Sequence, residues 1–176
     1  MMKPRSLSLL ALPLLAALSG CGTGLIPPIT RDFDAVTFTF PAPTVQNPVV
    51  FYSTTNQLGS LPAISSLISS VEIAGNATYT GFGNLAKIQV YIRQNLSGCT
   101  IQTDQSYVAC PADESANLVQ TIDLVKGQPA AFKLSGTILT KAVQNKLGYL
   151  GVQVTGGGAL QGDKLLIDSG KVTVRF

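Results

Sequence analysis

At 176 residues, with 45% apolar and 12% charged side chains, the chain excludes disorder and has room for one domain with its own core. The formal charge is +3, and losing Lys3 and Arg5 with the first twenty residues would leave ten basic against nine acidic groups. Attraction to a phosphate backbone then has no source, so nucleic acid is not an expected partner. Histidine and tryptophan are both absent, which removes the usual general base and the commonest metal ligand, and no catalytic or metal-binding residue is expected.

The first element is a leader: Lys3 and Arg5, an apolar run from Leu7 to Leu18, then Ser19-Gly20-Cys21. About a dozen apolar residues are too few to cross roughly 30 Å of hydrocarbon as a helix, so the run reads as a signal segment. Leu18-Ser19-Gly20-Cys21 resembles the lipobox of bacterial lipoproteins, which is leucine, two small residues and cysteine. The resemblance covers residues 1–21 and implies cleavage before Cys21, acylation of that cysteine, and a cell-envelope location on a membrane. Two or three acyl chains anchor firmly, where one is marginal. Gly22 stands where the family's inner-membrane retention signal has aspartate, which favours the outer membrane if the cell has two.

Residues 21–35 are expected to form a lipidated tether, since Pro27-Pro28 removes two backbone donors and disfavours helix at Ile26. Such a segment holds a domain roughly 20 Å from the lipid on average. Asp32 and Asp34 supply two carboxylates, too few for a calcium site of six or more oxygens. The domain proper is then residues 36–176.

Period-two alternation, the mark of strands buried on one face, starts with Val36, Phe38 and Phe40 and resumes at Val49–Tyr52. Leu61, Ile64, Leu67 and Ile68 fit a short helix capped by Ser60, with Pro62 just inside. Val71, Ile73, Ala77 and Tyr79 form the next strand, Gly75 marking a bulge. Gly81-Phe82-Gly83 follows as a turn. Phe82, with Tyr79 and Tyr91, is a candidate contact point for a partner; the simpler expectation is that Phe82 folds back and caps the sandwich. Ile88, Val90 and Ile92 alternate with outward-pointing Lys87, Gln89 and Arg93.

With one of three cysteines consumed by lipid, Cys99 and Cys110 remain, and in an oxidising envelope two such thiols are expected to pair. A hairpin in which Cys99 faces Cys110 sets Ile101 opposite Val108 and makes Asp104-Gln105 the turn. Asp113-Glu114 reads as an exposed acidic loop. Strands follow at Leu118–Leu124, at Phe132–Ile138, and at Leu150–Val154. Between the last two, Leu139, Ala142, Val143 and Leu147 lie at helical spacing and stop at Gly148, a crossover helix. Gly157–Lys164 superficially resembles a phosphate-binding loop, but Asp163 interrupts the spacing and Leu165 replaces the magnesium-binding hydroxyl; a flexible hairpin loop is expected. Val172, Val174 and Phe176 make a docked C-terminal strand.

About seven to nine short strands with one crossover helix predict an all-β antiparallel β-sandwich, similar to immunoglobulin-like bacterial domains in strand count alone. The expected function is a non-catalytic, lipid-anchored binding or assembly module, with an envelope protein or the cell wall as partner and no cofactor beyond the lipid on Cys21. Two other readings are a carrier of an apolar ligand between the sheets and a carboxylate-based hydrolase.

Overall fold

Where alternation can bury one face, the chain forms strands. The computed structural model describes residues 27–45, 49–59, 61, 68–101, 107–111 and 114–176. The leader with Cys21, most of the helix expected between Ser60 and Ile68, the Asp104-Gln105 turn and Asp113 lie outside these residues. In chain order the strands are β1 (Ile29–Phe33), β2 (Val36–Thr39), β3 (Thr44–Val45), β4 (Val50–Ser53), β5 (Ser70–Thr80), β6 (Lys87–Arg93), β7 (Thr100–Ile101) and β8 (Tyr107–Cys110). After a 3-10 turn at Ser115–Asn117 come β9 (Leu118–Asp123), β10 (Pro129–Ser135), the helix α1 (Thr137–Asn145), β11 (Tyr149–Gly156), β12 (Gly158–Ala159) and β13 (Lys164–Arg175).

One sheet has the order β1-β13-β5-β10, with β2 continuing β1 along the same edge of β13. The other has the order β7-β8-β4-β11-β6-β9, and β12 with β3 makes a two-stranded ladder. All pairings are antiparallel. With the β7–β8 hairpin set aside, β1/β2, β4, β5 and β6 alternate between the sheets. On the return β9, β10, β11 and β13 insert beside them. That nested wrapping is a jelly roll. The all-β antiparallel sandwich is therefore as expected, but its strand order is not of the immunoglobulin kind. Alternation reports which face of a strand is buried and is silent on which strand lies beside it.

The inner faces meet in a core of Phe38, Ile73, Tyr79, Ile88, Val90, Leu134, Val152, Leu165 and Ile167 among others, most of them almost fully shielded from solvent. Helix α1 crosses from β10 in one sheet to β11 in the other and buries Leu139, Ala142 and Val143, as the spacing predicts. It stops earlier than Gly148: Lys146 takes the left-handed conformation (φ 54°) as C-cap. Asn56 secures that end, its amide nitrogen donating to the Lys146 carbonyl at 2.8 Å and its oxygen accepting from Gly148 N–H at 3.0 Å.

Two boundaries differ from expectation. Residues 29–33 are not tether: β1 pairs with β13 from Ile29↔Val174 to Phe33↔Gly170, and Phe33 is buried. At this sheet edge Thr30, Arg31 and Asp32 are all exposed, Arg31 on the same side as buried Phe33, so the segment lacks apolar alternation and reads as linker. Nor is the bulge in β5. It lies opposite, between Asp168 and Lys171 of β13, where Ser169 has a φ of 52°. Gly75 faces that bulge, and a Cβ there would lie 2.8 Å from the Asp168 carbonyl oxygen, so glycine permits the close approach. Beyond the bulge the buried positions change parity, from Leu165 and Ile167 to Gly170, Val172 and Val174. The C-terminal strand is docked, between β1/β2 and β5.

Candidate functional site

The wrapping sends four connections to one end of the sandwich: those after β2, between β5 and β6, between β9 and β10, and between β11 and β13. Asp163 organises this end. It is 2% exposed although it sits at the end of a loop. Its carboxylate accepts hydrogen bonds from the Tyr79 hydroxyl, from Phe82 N–H at 2.8 Å, from Gly83 N–H at 3.0 Å and from Leu160 N–H at 2.7 Å. Its backbone carbonyl accepts from Phe40 N–H at 3.0 Å. Burial alone would raise the Asp163 pKa, but the hydrogen bonds from Tyr79, Leu160, Phe82 and Gly83 outweigh it and hold it at about 2. Burial, then the bond to Asp163, push Tyr79 up to about 12.

The remaining connections are tied to the same frame. Asn84 N–H donates to the Gly158 carbonyl at 2.9 Å and its side-chain oxygen accepts from Gly158 N–H at 3.0 Å. Leu124 N–H donates to the Ala86 carbonyl and Gly127 N–H to the Tyr79 carbonyl, both at 2.8 Å. Gly157–Lys164 is accordingly no loose loop: Gly158 and Ala159 are buried in the ladder with β3, and Lys164 opens β13. Gly81 and Gly83 are required by proximity, since a side-chain carbon at either would collide with the Asp163 carboxylate, the Tyr79 hydroxyl or the Gly158 carbonyl.

Phe82, between those glycines, is 91% exposed. It does not fold back over the core. The Phe82 and Gly83 amides are drawn in to the carboxylate and Gly81 lies against it, which leaves the Phe82 side chain outside. Tyr79 and Tyr91 do not join it at the surface: Tyr79 is buried beneath the loop, and Tyr91 is buried on the outer face of the other sheet. The Tyr91 hydroxyl lies 2.7 Å from the side chains of both Gln89 and Gln153; with one proton it donates to one amide and accepts from the other. Burial raises its pKa, and the Glu114 charge adds to this.

That outer face holds a second cluster, made by Val50, Tyr52, Tyr91, Val108 and Cys110 with Leu96, Cys99 and Tyr149 packed against it. Cys99 and Cys110 form the expected disulfide, with Cα atoms 4.4 Å apart and Ile101 paired to Val108. Glu114, expected in an exposed loop, is buried over this cluster. It accepts from the Tyr52 hydroxyl at 3.0 Å and the Asn117 amide at 2.6 Å, and pairs with Arg93 at 3.2 Å. Arg93 also donates to the Cys99 sulfur at 2.8 Å and stacks 5.7 Å from the Tyr52 ring centre. Burial and Glu114 raise the Tyr52 pKa. A carboxylate that three partners surround is a structural acceptor, which is why it tolerates burial.

Chemically, both buried carboxylates are occupied by donors, and they brace loops. Among the described residues no three His, Cys, Asp or Glu side chains gather to hold a metal ion. A hollow between the sheets at Phe38, Phe40, Phe51, Tyr107 and Val152 measures about 10 Å³. A larger open hollow of about 490 Å³ lies beside the disulfide, lined by Thr54, Leu96, Cys99, Ile101 and Val108. No helix among the described residues is long and apolar enough to cross a membrane. Comparison of the chain with protein-family models, characterised proteins and solved structures returns no match.

Proposed function

We propose that this chain is a lipid-anchored domain of the cell envelope, held through acyl chains on Cys21 and acting as a non-catalytic binding or assembly module. The observation that supports this best is Phe82, fully displayed on a loop whose backbone is fixed by Asp163. An apolar side chain held rigidly in water gains by being covered, and it has already lost the loop entropy that binding would otherwise cost. Saturation of Asp163 and Glu114 by structural donors weighs against the hydrolase reading, and the large buried side chains that pack between the sheets weigh against the carrier reading.

Two measurements test this. Intact mass of the native chain gives a diacylglyceryl-modified species starting at Cys21; a full-length chain with a free thiol overturns the anchoring. Photocrosslinking in the native envelope from position 82 gives a defined adduct that position 141, on the exposed side of α1, does not give. Equal patterns from both sites overturn the assignment of Phe82 as the contact.

A further inference from the structure

We infer that the Phe82 end of the sandwich is a lipid-engaging surface, and that it takes the headgroup region of an anionic phospholipid bilayer. Of seven large apolar side chains exposed among the described residues, four lie at this end, one on each of its four connections. They are Val45, Phe82, Val125 and Leu160. Their exposure is fixed rather than incidental. The backbone N–H groups of Phe82 and Leu160 are held by one carboxylate, Val45 sits in the ladder opposite Gly158, and the turn carrying Val125 is tied to Tyr79 and Ala86.

Charge selects the occupant. Lys126 follows Val125 directly and Lys164 opens β13; both are exposed and neither makes an ion pair among the described residues. Of the acids nearby, Asp123 pairs with Lys87 at 3.3 Å, and Asp163 keeps its charge but is buried within its four neutral donors, out of reach of a ligand. The unpaired charge exposed at this end is therefore positive, two lysines beside separate apolar tips. Tips on separate loops suit a bilayer interface, where each side chain inserts between headgroups while lysines meet phosphates. A protein partner would instead need a continuous complementary patch of about 800 Å².

Which bilayer follows from geometry, and this step rests on the anchoring proposed above. Ile29 pairs near one terminus of β13 and Lys164 forms the other, so the two ends of the sandwich are about 35 Å apart along the strand. From Cys21 to Ile29 the chain reaches about 28 Å at full extension. Upright insertion into the anchoring bilayer would exceed that reach, which directs the Phe82 end of an upright domain to a second bilayer.

The chain has no tryptophan, so Phe82→Trp introduces a single reporter at an exposed position. The full chain isolated from its envelope is reconstituted into phosphatidylcholine vesicles. Acceptor vesicles of phosphatidylcholine alone, or of phosphatidylcholine and phosphatidylglycerol in equal parts, are then added. The expected result is a blue shift of the emission and clustering of the two vesicle populations with the anionic acceptors only. Lys126→Glu with Lys164→Glu weakens the response by about tenfold or more. An unshifted emission overturns the inference, as does an equal response to neutral acceptors. A shift without clustering keeps the lipid surface and overturns the two-bilayer geometry, with intact mass on the same sample showing whether the anchor itself was missing. Adducts from position 82 in the native envelope that contain protein and no lipid also overturn it.

Discussion

The Tyr79 hydroxyl and the Asp163 carboxylate, 84 residues apart in the chain, hydrogen-bond beneath the Phe82 loop and close one end of the jelly roll. Tyr79 comes from a central strand, and Asp163 from the residue before another, so the bond ties the loops to the middle of the sheet. Asp163→Asn keeps the shape but removes the charge and turns one acceptor oxygen into a donor. We expect a loss of about 3 kcal/mol in denaturant unfolding, with faster hydrogen exchange at the Phe82 and Gly83 amides. Unchanged exchange there would show that the carboxylate does not hold the loop.

The same pair sets a pH signature. Asp163 is lowered from 3.8 to about 2 in the fold, so its contribution is complete above the unfolded value and is lost as pH falls through about 2. Tyr79 is raised from 10.0 to about 12, so its contribution is complete below pH 10 and is lost as pH rises through about 12. Stability measured from pH 4 to 2 falls more steeply in the native chain than in the Asp163→Asn variant. Parallel slopes would refute the assignment.

Glu114→Ala leaves Arg93 without its counter-charge and the Tyr52 hydroxyl without its acceptor in a covered site. The expected cost is about 3 to 5 kcal/mol, read as a lowered unfolding midpoint, and larger than for Asp123→Ala, whose partner Lys87 is half-exposed. Equal costs would mean that Glu114 is solvated like any surface acid.

Replacing Cys99 and Cys110 by serine opens the cross-link at the edge of the six-stranded sheet. About 3 kcal/mol is lost under oxidising conditions in the chain-entropy picture, and the melting temperature falls accordingly. A double variant with the native melting temperature would remove the disulfide from the forces holding this edge.

Deletions test both chain ends of the fold. Removing 171–176 strips half of a strand bonded on both sides and should abolish soluble expression. Removing residues 29–33 should destabilise as well, through loss of the Phe33 contact at the β13 bulge. A deletion through 33 that unfolds like the full chain would return this segment to the tether.

Legibility in the sequence followed burial. Val36–Phe40 and Ile88–Ile92 alternate because one face meets the core, and the Cys99–Cys110 register followed from pairing equal distances about a turn. Leu139, Ala142 and Val143 disclosed the crossover helix. Strand order left no trace, since it depends on partners remote in the chain. Asp163 and Glu114 read as solvated because a charged residue in a loop ordinarily is, and only tertiary donors, invisible in the sequence, permit their burial. The glycines on both sides of Phe82 were a usable signal, marking a backbone that something approaches closely. Lys164–Arg175 does not read as one strand, because the bulge at Ser169-Gly170 shifts its alternation by one residue.

The antiparallel pairing of β1 with β13 also has a mechanical meaning. Tension between Ile29 and the Phe82 end runs along the strand axis, so the five residue pairs from Ile29↔Val174 to Phe33↔Gly170 resist sliding together rather than opening one by one. A domain pulled from its first strand toward its far loops is loaded in shear, the direction in which a β-ladder yields last.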